Sequence, residues 1–184
     1  MDGISINKIN RHDLRRQISL VQQDVFLFSG SILDNIRLGN PHLEVDQIKS
    51  IARSVNLHRF VDCLPDQYEQ NIRERGSLLS LGQKQLLSFA RALAVDPRIL
   101  VLDEATSSID TETELQVQNG IKELIRGRTS IIIAHRLSTL KNVDKILVLK
   151  EGHVAEYGTQ KELLQKKGIY WKLYNLQATN DDKL

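Results

Sequence analysis

A helix-forming run that breaks at Asp96-Pro97 and gives way to a short apolar strand ending in two acids constrains this chain more than any other feature. Residues 79–110 read LSLGQKQLLSFARALAVDPRILVLDEATSSID. Leu86, Leu87, Ala90, Leu93 and Ala94 recur at helical spacing. A residue before proline resists the helical conformation, so the spacing predicts a helix that stops at Asp96. Residues 99–102 are apolar throughout, as a strand buried in a parallel sheet is, and they run directly into Asp103 and Glu104. In open α/β sheets ligands collect beyond the carboxyl ends of the strands. Two acids there either hold a cation and direct a water, or open an ordinary solvated loop; the pair alone leaves both readings open.

The remaining segments can be placed around that run. Residues 18–21, 130–134 and 146–149 predict further strands, those at 130–134 and 146–149 of the buried type, and 153–157 alternates like an edge strand. Ile4, Ile6 and Ile9 alternate and predict a short strand near the start. Ser31-x-x-Asp34 and Thr159-x-x-Glu162 have the residue types of helix starts, and Asp110 can cap the helix after the acids. Residues 44–63 carry one helical period from Val45 to Val61, bracketed by Pro41 and Pro65. Residues 66–78 are loop-like, and a last helix holds Ile169, Trp171, Leu173, Tyr174 and Leu176 before a polar tail. Strands alternating with helices predict an α/β fold with a largely parallel sheet. The all-helical stretch 31–95 interrupts that alternation and reads as an inserted helical subdomain, with 1–30 and 96–184 forming the core.

Composition narrows the function classes. Twenty-five basic and 23 acidic residues give a net charge of +2, no basis for nucleic-acid or membrane-surface binding through bulk charge. The single cysteine, Cys63, excludes an intrachain disulfide and a cysteine-rich metal site, and reads as a small apolar residue within a helical segment. No apolar run approaches the ~20 residues of a membrane-spanning helix. The opening MDGISINKIN lacks the shape of a signal peptide.

Ser80-x-x-Gln83 is a capping box by residue type, and a helix start with free N–H groups beside Gly82 is also an anion site. LSLGQ, a helix, RILVLDEATSSID and a later strand ending in His135 form an ordered set that resembles the nucleotide-binding domain of ABC transporters. The resemblance covers essentially the whole chain. It implies a P-loop NTPase (RecA-like) parallel-sheet core, incomplete at its N-terminus, with the helical stretch 31–95 as the signature subdomain. Residues 79–83 resemble the signature motif LSGGQ, residues 99–103 the Walker B strand, and Ser107-Ser108-Ile109-Asp110 the D-loop. The segments DVFLFSGSILDNI and Glu74-Arg75-Gly76 are similar to the exporter branch.

Roles follow from the resemblance, position by position. Asp103 is expected to bind Mg²⁺, Glu104 to polarise the attacking water, and His135 to hydrogen-bond the γ-phosphate of ATP. Gln23, in the Q-loop position, is expected to touch Mg²⁺ or water. Ser80, Gly82 and Gln83 are expected to meet nucleotide held by a second nucleotide-binding domain, with Asp110 bridging that head-to-tail dimer. Phe26 and Phe28 are expected to face a transmembrane partner, which places the chain at the cytoplasmic face of a membrane.

Two departures from the family pattern stand out. Leu81 occupies the third signature position, where glycine is usual. No G-x-x-x-x-G-K-[ST] occurs in the 184 residues, and no Gly-Lys pair exists. MDGISI resembles the strand that follows the P-loop helix, which suggests a truncated or split reading frame. On this reading the chain alone does not hydrolyse ATP, and the strand at 130–134 keeps an unpaired apolar edge. The alternatives are a non-catalytic module that lends its signature and D-loop in trans, and a soluble ABC-type ATPase.

Overall fold

The computed structural model describes residues 1–103, 111–134, 137–140 and 143–181. A 3-10 turn (Ile6–Lys8) leads to α1 (Arg11–Arg16) and β1 (Ile18–Val21). Four helices follow before the next strand: α2 (Ile32–Arg37), α3 (Val45–Ser54), α4 (His58–Val61) and α5 (Leu81–Ala94). Then come β2 (Ile99–Asp103), α6 (Thr111–Ile125) and β3 (Thr129–Ile133). A hairpin of β4 (Ile146–Lys150) and β5 (His153–Gly158) and two helices, α7 (Gln160–Lys166) and α8 (Ile169–Asp181), complete the order. The chain divides into two compact units, Met1–Ile133 and Ala134–Leu184.

In the first unit β1, β2 and β3 pair in that order and in parallel, as the alternation of strands and helices predicts. The central strand β2 buries Leu100 and Leu102. Against them lies one core to which α5 contributes Leu86, Leu87 and Phe89 and α6 contributes Val117 and Leu124. Each such side chain removed from water stabilises by roughly 1.5–3 kcal/mol, so α5 is the main organiser of this unit. Gly120 lets α6 approach it: a Cβ there would stand 3.2 Å from the Phe89 ring and 3.3 Å from Leu86. Arg128 joins the two ends of the strand pair. It donates to the Pro97 carbonyl at 3.1 Å and to Asp96 at 3.0 Å, tying the turn before β2 to the turn before β3.

Three local expectations change. The alternation at Ile4, Ile6 and Ile9 does not form a strand. Asn10 accepts the His12 N–H and starts α1 instead, leaving Ile4 and Ile6 exposed. The helical period over 44–63 is broken between α3 and α4 at Asn56, whose φ is +64°. There Asn56 N–H bonds the Arg53 carbonyl and Leu57 N–H the Ala52 carbonyl, the Schellman arrangement that ends a helix while burying the next apolar residue. The strand near 130–134 is not buried: Ile131 and Ile133 are 57% and 47% exposed, because they share with Leu20, itself 55% exposed, the sheet face that the described elements leave open.

In the second unit β4 and β5 pair antiparallel, with an irregularity at Val148/Leu149, so the parallel pattern does not extend to them. Thr159 and Glu162 form the predicted capping box at the start of α7. Glu156 on β5 accepts the N–H groups of Ile169 and Tyr170 at 2.7 and 3.0 Å, and so caps α8. Ile146, Val148, Leu163 and Tyr170 form the small core. The polar tail expected beyond the last helix is in part helical, since α8 runs to Asp181.

Candidate functional site

Two groups of residues gather at two places in the first unit. The first is the carboxyl edge of the parallel sheet. Val21 of β1 lies opposite Leu102 of β2, so Gln23 and Asp103 leave neighbouring strands at the same edge. Asp103 is half-buried and Gln23 exposed. Asp103 also pairs with Ile133, the end of β3. Glu104 follows Asp103 directly in the chain, but Glu104, Asp110 and His135 lie outside the described residues. Among the described residues no three carboxylate, imidazole or thiolate side chains converge.

The second group is the start of α5. Ser80 accepts the Gln83 N–H at 3.3 Å, and Gln83 Oε1 accepts the Ser80 N–H at 2.9 Å. The capping box fixes the first turn and holds Gln83 back against Ser80. The Ser80 hydroxyl keeps its own proton to donate. Leu81 and Gly82, the first two residues of the helix, carry N–H groups with no partner inside it. Gly82 is buried; Ser80 is exposed; Leu81 is 40% exposed, so its side chain lies at the surface beside these donors. No hydrogen bond or ion pair among the described residues links this group to Gln23 and Asp103.

A groove of about 330 Å³ opens between β1, the loop after Gln23 and α5, lined by Leu20, Phe26, Phe28, Leu38, Arg91 and Val95 among others. Phe26 and Phe28 meet edge to face at 5.0 Å and stand half exposed on its rim. Arg91 donates from Nε to the Asn35 carbonyl at 3.0 Å, from Nη1 to the Phe26 carbonyl at 2.9 Å and from Nη2 to Asn35 Oδ1 at 2.8 Å. Burial lowers the guanidinium pKa from its ordinary value. Asn35 is wholly buried, and its amide also pairs with Phe28 N–H, Phe28 carbonyl and Ser31 carbonyl, each at 3.0 Å. Neither residue stands out among the sequence motifs. A signal exists, since Asn35 shares the apolar face of Ile32 and Ile36, and Arg91 sits between the buried Ala90 and Ala92.

A parallel sheet wound with helices, with its acid at the carboxyl edge, is the architecture of the P-loop NTPases. A family model described as ABC transporter matches residues 1–107. An uncharacterized ABC transporter ATP-binding protein, YknV of Bacillus subtilis, is 48% identical over 96% of this chain and 29% of its own length. A fatty acid ABC transporter ATP-binding/permease protein of Mycobacterium bovis is 44% identical over 94% of this chain and 27% of its own. The solved structure of a bacterial Atm1-family ABC exporter with ATP bound superposes with a TM-score of 0.87 at 37% identity, over 96% of this chain and 31% of that one. The chain belongs to the ABC transporter family, as a nucleotide-binding domain of the exporter type. It spans less than a third of the length of each of these relatives.

Proposed function

We propose that this chain supplies part of the ATP-binding and ATP-hydrolysing machinery of an ABC exporter, and that it does so as two half-sites. The observation that carries the proposal is the start of α5, where a capped turn presents the exposed Ser80 hydroxyl beside Leu81 and Gly82, whose N–H groups have no partner inside the helix. That arrangement suits a terminal phosphate approaching from a second nucleotide-binding domain. Ser80, Gly82 and Gln83 therefore serve nucleotide held by the partner, with Asp110 at the dimer interface. Asp103 and Gln23, oxygen donors at one sheet edge, suit a Mg²⁺ that keeps its phosphate and water ligands. Bound MgATP supplies the phosphoryl group and the cation that neutralises its charge. With MgATP bound, Glu104 would polarise the attacking water and His135 would donate a hydrogen bond to the γ-phosphate.

Residues 31–95 are read as the helical subdomain of this machinery. The groove rimmed by Phe26 and Phe28 is read as the seat of a helical segment from a transmembrane partner, which would hold the chain at the cytoplasmic face of a membrane. Among the described residues no helix is long and apolar enough to cross a membrane. No nucleic-acid partner is proposed, given the balanced charge.

A second reading is favoured by one sequence fact: the residues contain a signature turn but no G-x-x-x-x-G-K-[ST]. On it, the chain lends its signature in trans and is not itself the site of hydrolysis. Calorimetric titration of MgATP into the full 184-residue chain separates the two. Binding by the chain alone supports the ATPase reading. Absence of binding, with MgATP-dependent association to an exporter-type domain that has its own phosphate loop, supports the lending module. Neither binding nor association would remove both.

A further inference from the structure

Arg91 and Asn35 are spent on an unusual task. Three of the five guanidinium donors go to the backbone and side chain of other segments, and all four hydrogen-bonding positions of the Asn35 amide are filled. Among the described residues neither group bonds Asp103. What they hold is the three-residue wall Phe26-Leu27-Phe28. Its outward side chains, Phe26 and Phe28, form the rim of the groove, and the Arg91 guanidinium lies over the Phe28 ring at 5.7 Å. Its inward side chain, Leu27, is buried.

Leu27 reaches Gly76, in the segment that leads into α5. A Cβ on Gly76 would stand 2.6 Å from Leu27 Cδ1, so the wall presses on a position that only glycine fills, at φ +62°. The same imagined Cβ lies 3.6 Å from Lys84 of α5. The Gly76 carbonyl then accepts the Leu79 N–H at 2.9 Å, which sets the chain one residue before Ser80. One wall thus contacts α5 through Arg91 near its end and contacts the approach to its first turn through Gly76. The first point is on α5 itself and the second is on the 3-10 turn five residues ahead of Leu81, where the helix begins.

We infer that Arg91 and Asn35 are positioning residues that lock the groove wall to α5, so that the rim and the Ser80–Gln83 turn move as one body. The inference rests on the reading of the groove as a docking seat and of that turn as a phosphate contact, and it supplies the link between them. Displacing Phe26 and Phe28 shifts Leu27 against Gly76, and the phosphate-facing turn shifts with it. Lysine cannot replace Arg91 here, because an ammonium does not bridge Phe26 and Asn35 with a planar fork.

The test is amide hydrogen exchange on the full chain, which needs neither nucleotide nor partner and so stands or falls independently of the proposed function. In Arg91→Lys and Asn35→Ala, exchange in stretch 26–30 and in stretch 80–86 is expected to rise together, by about tenfold, the effect of losing one to two good hydrogen bonds. Exchange in α3 should stay at the wild-type rate. From the other end, Ser80→Ala alters an exposed cap without touching the core, and is expected to raise exchange in 26–30 at least about threefold. A rise confined to 26–30 in the Arg91 and Asn35 variants would overturn the inference. So would a uniform rise that includes α3, which would make the pair ordinary core. If both variants fail to fold, Ser80→Ala decides alone, and an unchanged 26–30 stretch would refute the link.

Discussion

Leu81 is the residue on which the signature turn departs from its family pattern, and the structure places it at the surface beside the first-turn amides. At 40% exposed it belongs to neither core cluster, so Leu81→Gly should cost about 1–2 kcal/mol of stability, the helix-propensity term plus the covered part of the side chain. The same change should strengthen MgATP-dependent association with an exporter-type domain, measured by sedimentation, because a side chain next to the proposed phosphate approach is removed. The cap itself is worth more: Ser80→Ala should lower the unfolding free energy in denaturant by about 1 kcal/mol. Arg128 is the third informative residue. Its side chain is largely buried and bonds Pro97, Asp96 and Leu124, so Arg128→Ala leaves several acceptors without a donor. A loss of about 1–3 kcal/mol is expected in the same denaturant assay. The Ser80 cap was legible in the sequence because it is a contact between residues i and i+3. The Asn35–Arg91 bond was not, since its partners are 56 positions apart and nothing local in either segment requires the other.

At the level of elements, the strands and capped helices were readable wherever a local rule decides: apolar runs for β1 and β2, and Ser-x-x-acid or Thr-x-x-acid boxes for α2 and α7. Misreadings came where pairing decides. Ile4, Ile6 and Ile9 alternate, yet no described strand lies beside them, and the segment forms a 3-10 turn that leads to the Asn10 cap of α1. In the second unit, α8 depends on a carboxylate far from it in sequence. Hydrogen bonds from the N–H groups of Tyr170 and Ile169 hold the Glu156 carboxyl below its ordinary value. Glu162, capped by Thr159 and helped by Lys145, is displaced in the same direction. A lowered native pKa means stability that is present above the unfolded value and lost as pH falls through the native one. Protection of the α8 first-turn amides should therefore be unchanged from pH 7 to pH 5 and decline below about 4.5. In Glu156→Gln that decline should be much weaker, because protection at α8 is already low at pH 7; an unchanged acid profile would rule out Glu156 as the cap. Gly168 belongs to this device too, since a Cβ there would collide with the Glu156 carboxylate.

For the whole molecule, the parallel arrangement and the placement of Asp103 at its carboxyl edge agree with what the strand pattern predicts. The state of the sheet's outer strand was not visible as burial, because an apolar run reads alike whether or not a neighbour covers it. β3 pairs on one side among the described residues and exposes Ile131 and Ile133. Such an edge promotes association between chains. Ile131→Lys is expected to raise the monomeric fraction in light scattering without lowering the cooperativity of melting. The central claim is that the chain carries two half-sites that serve different nucleotides. The direct measurement is the ATPase rate of an exporter-type nucleotide-binding domain with its own phosphate loop, mixed with the full 184-residue chain. Wild-type chain should stimulate that rate, Ser80→Arg should abolish the stimulation, and Asp103→Asn should leave it intact, since the proposal assigns Asp103 to the other nucleotide. Equal loss in the Ser80 and Asp103 variants would contradict the account.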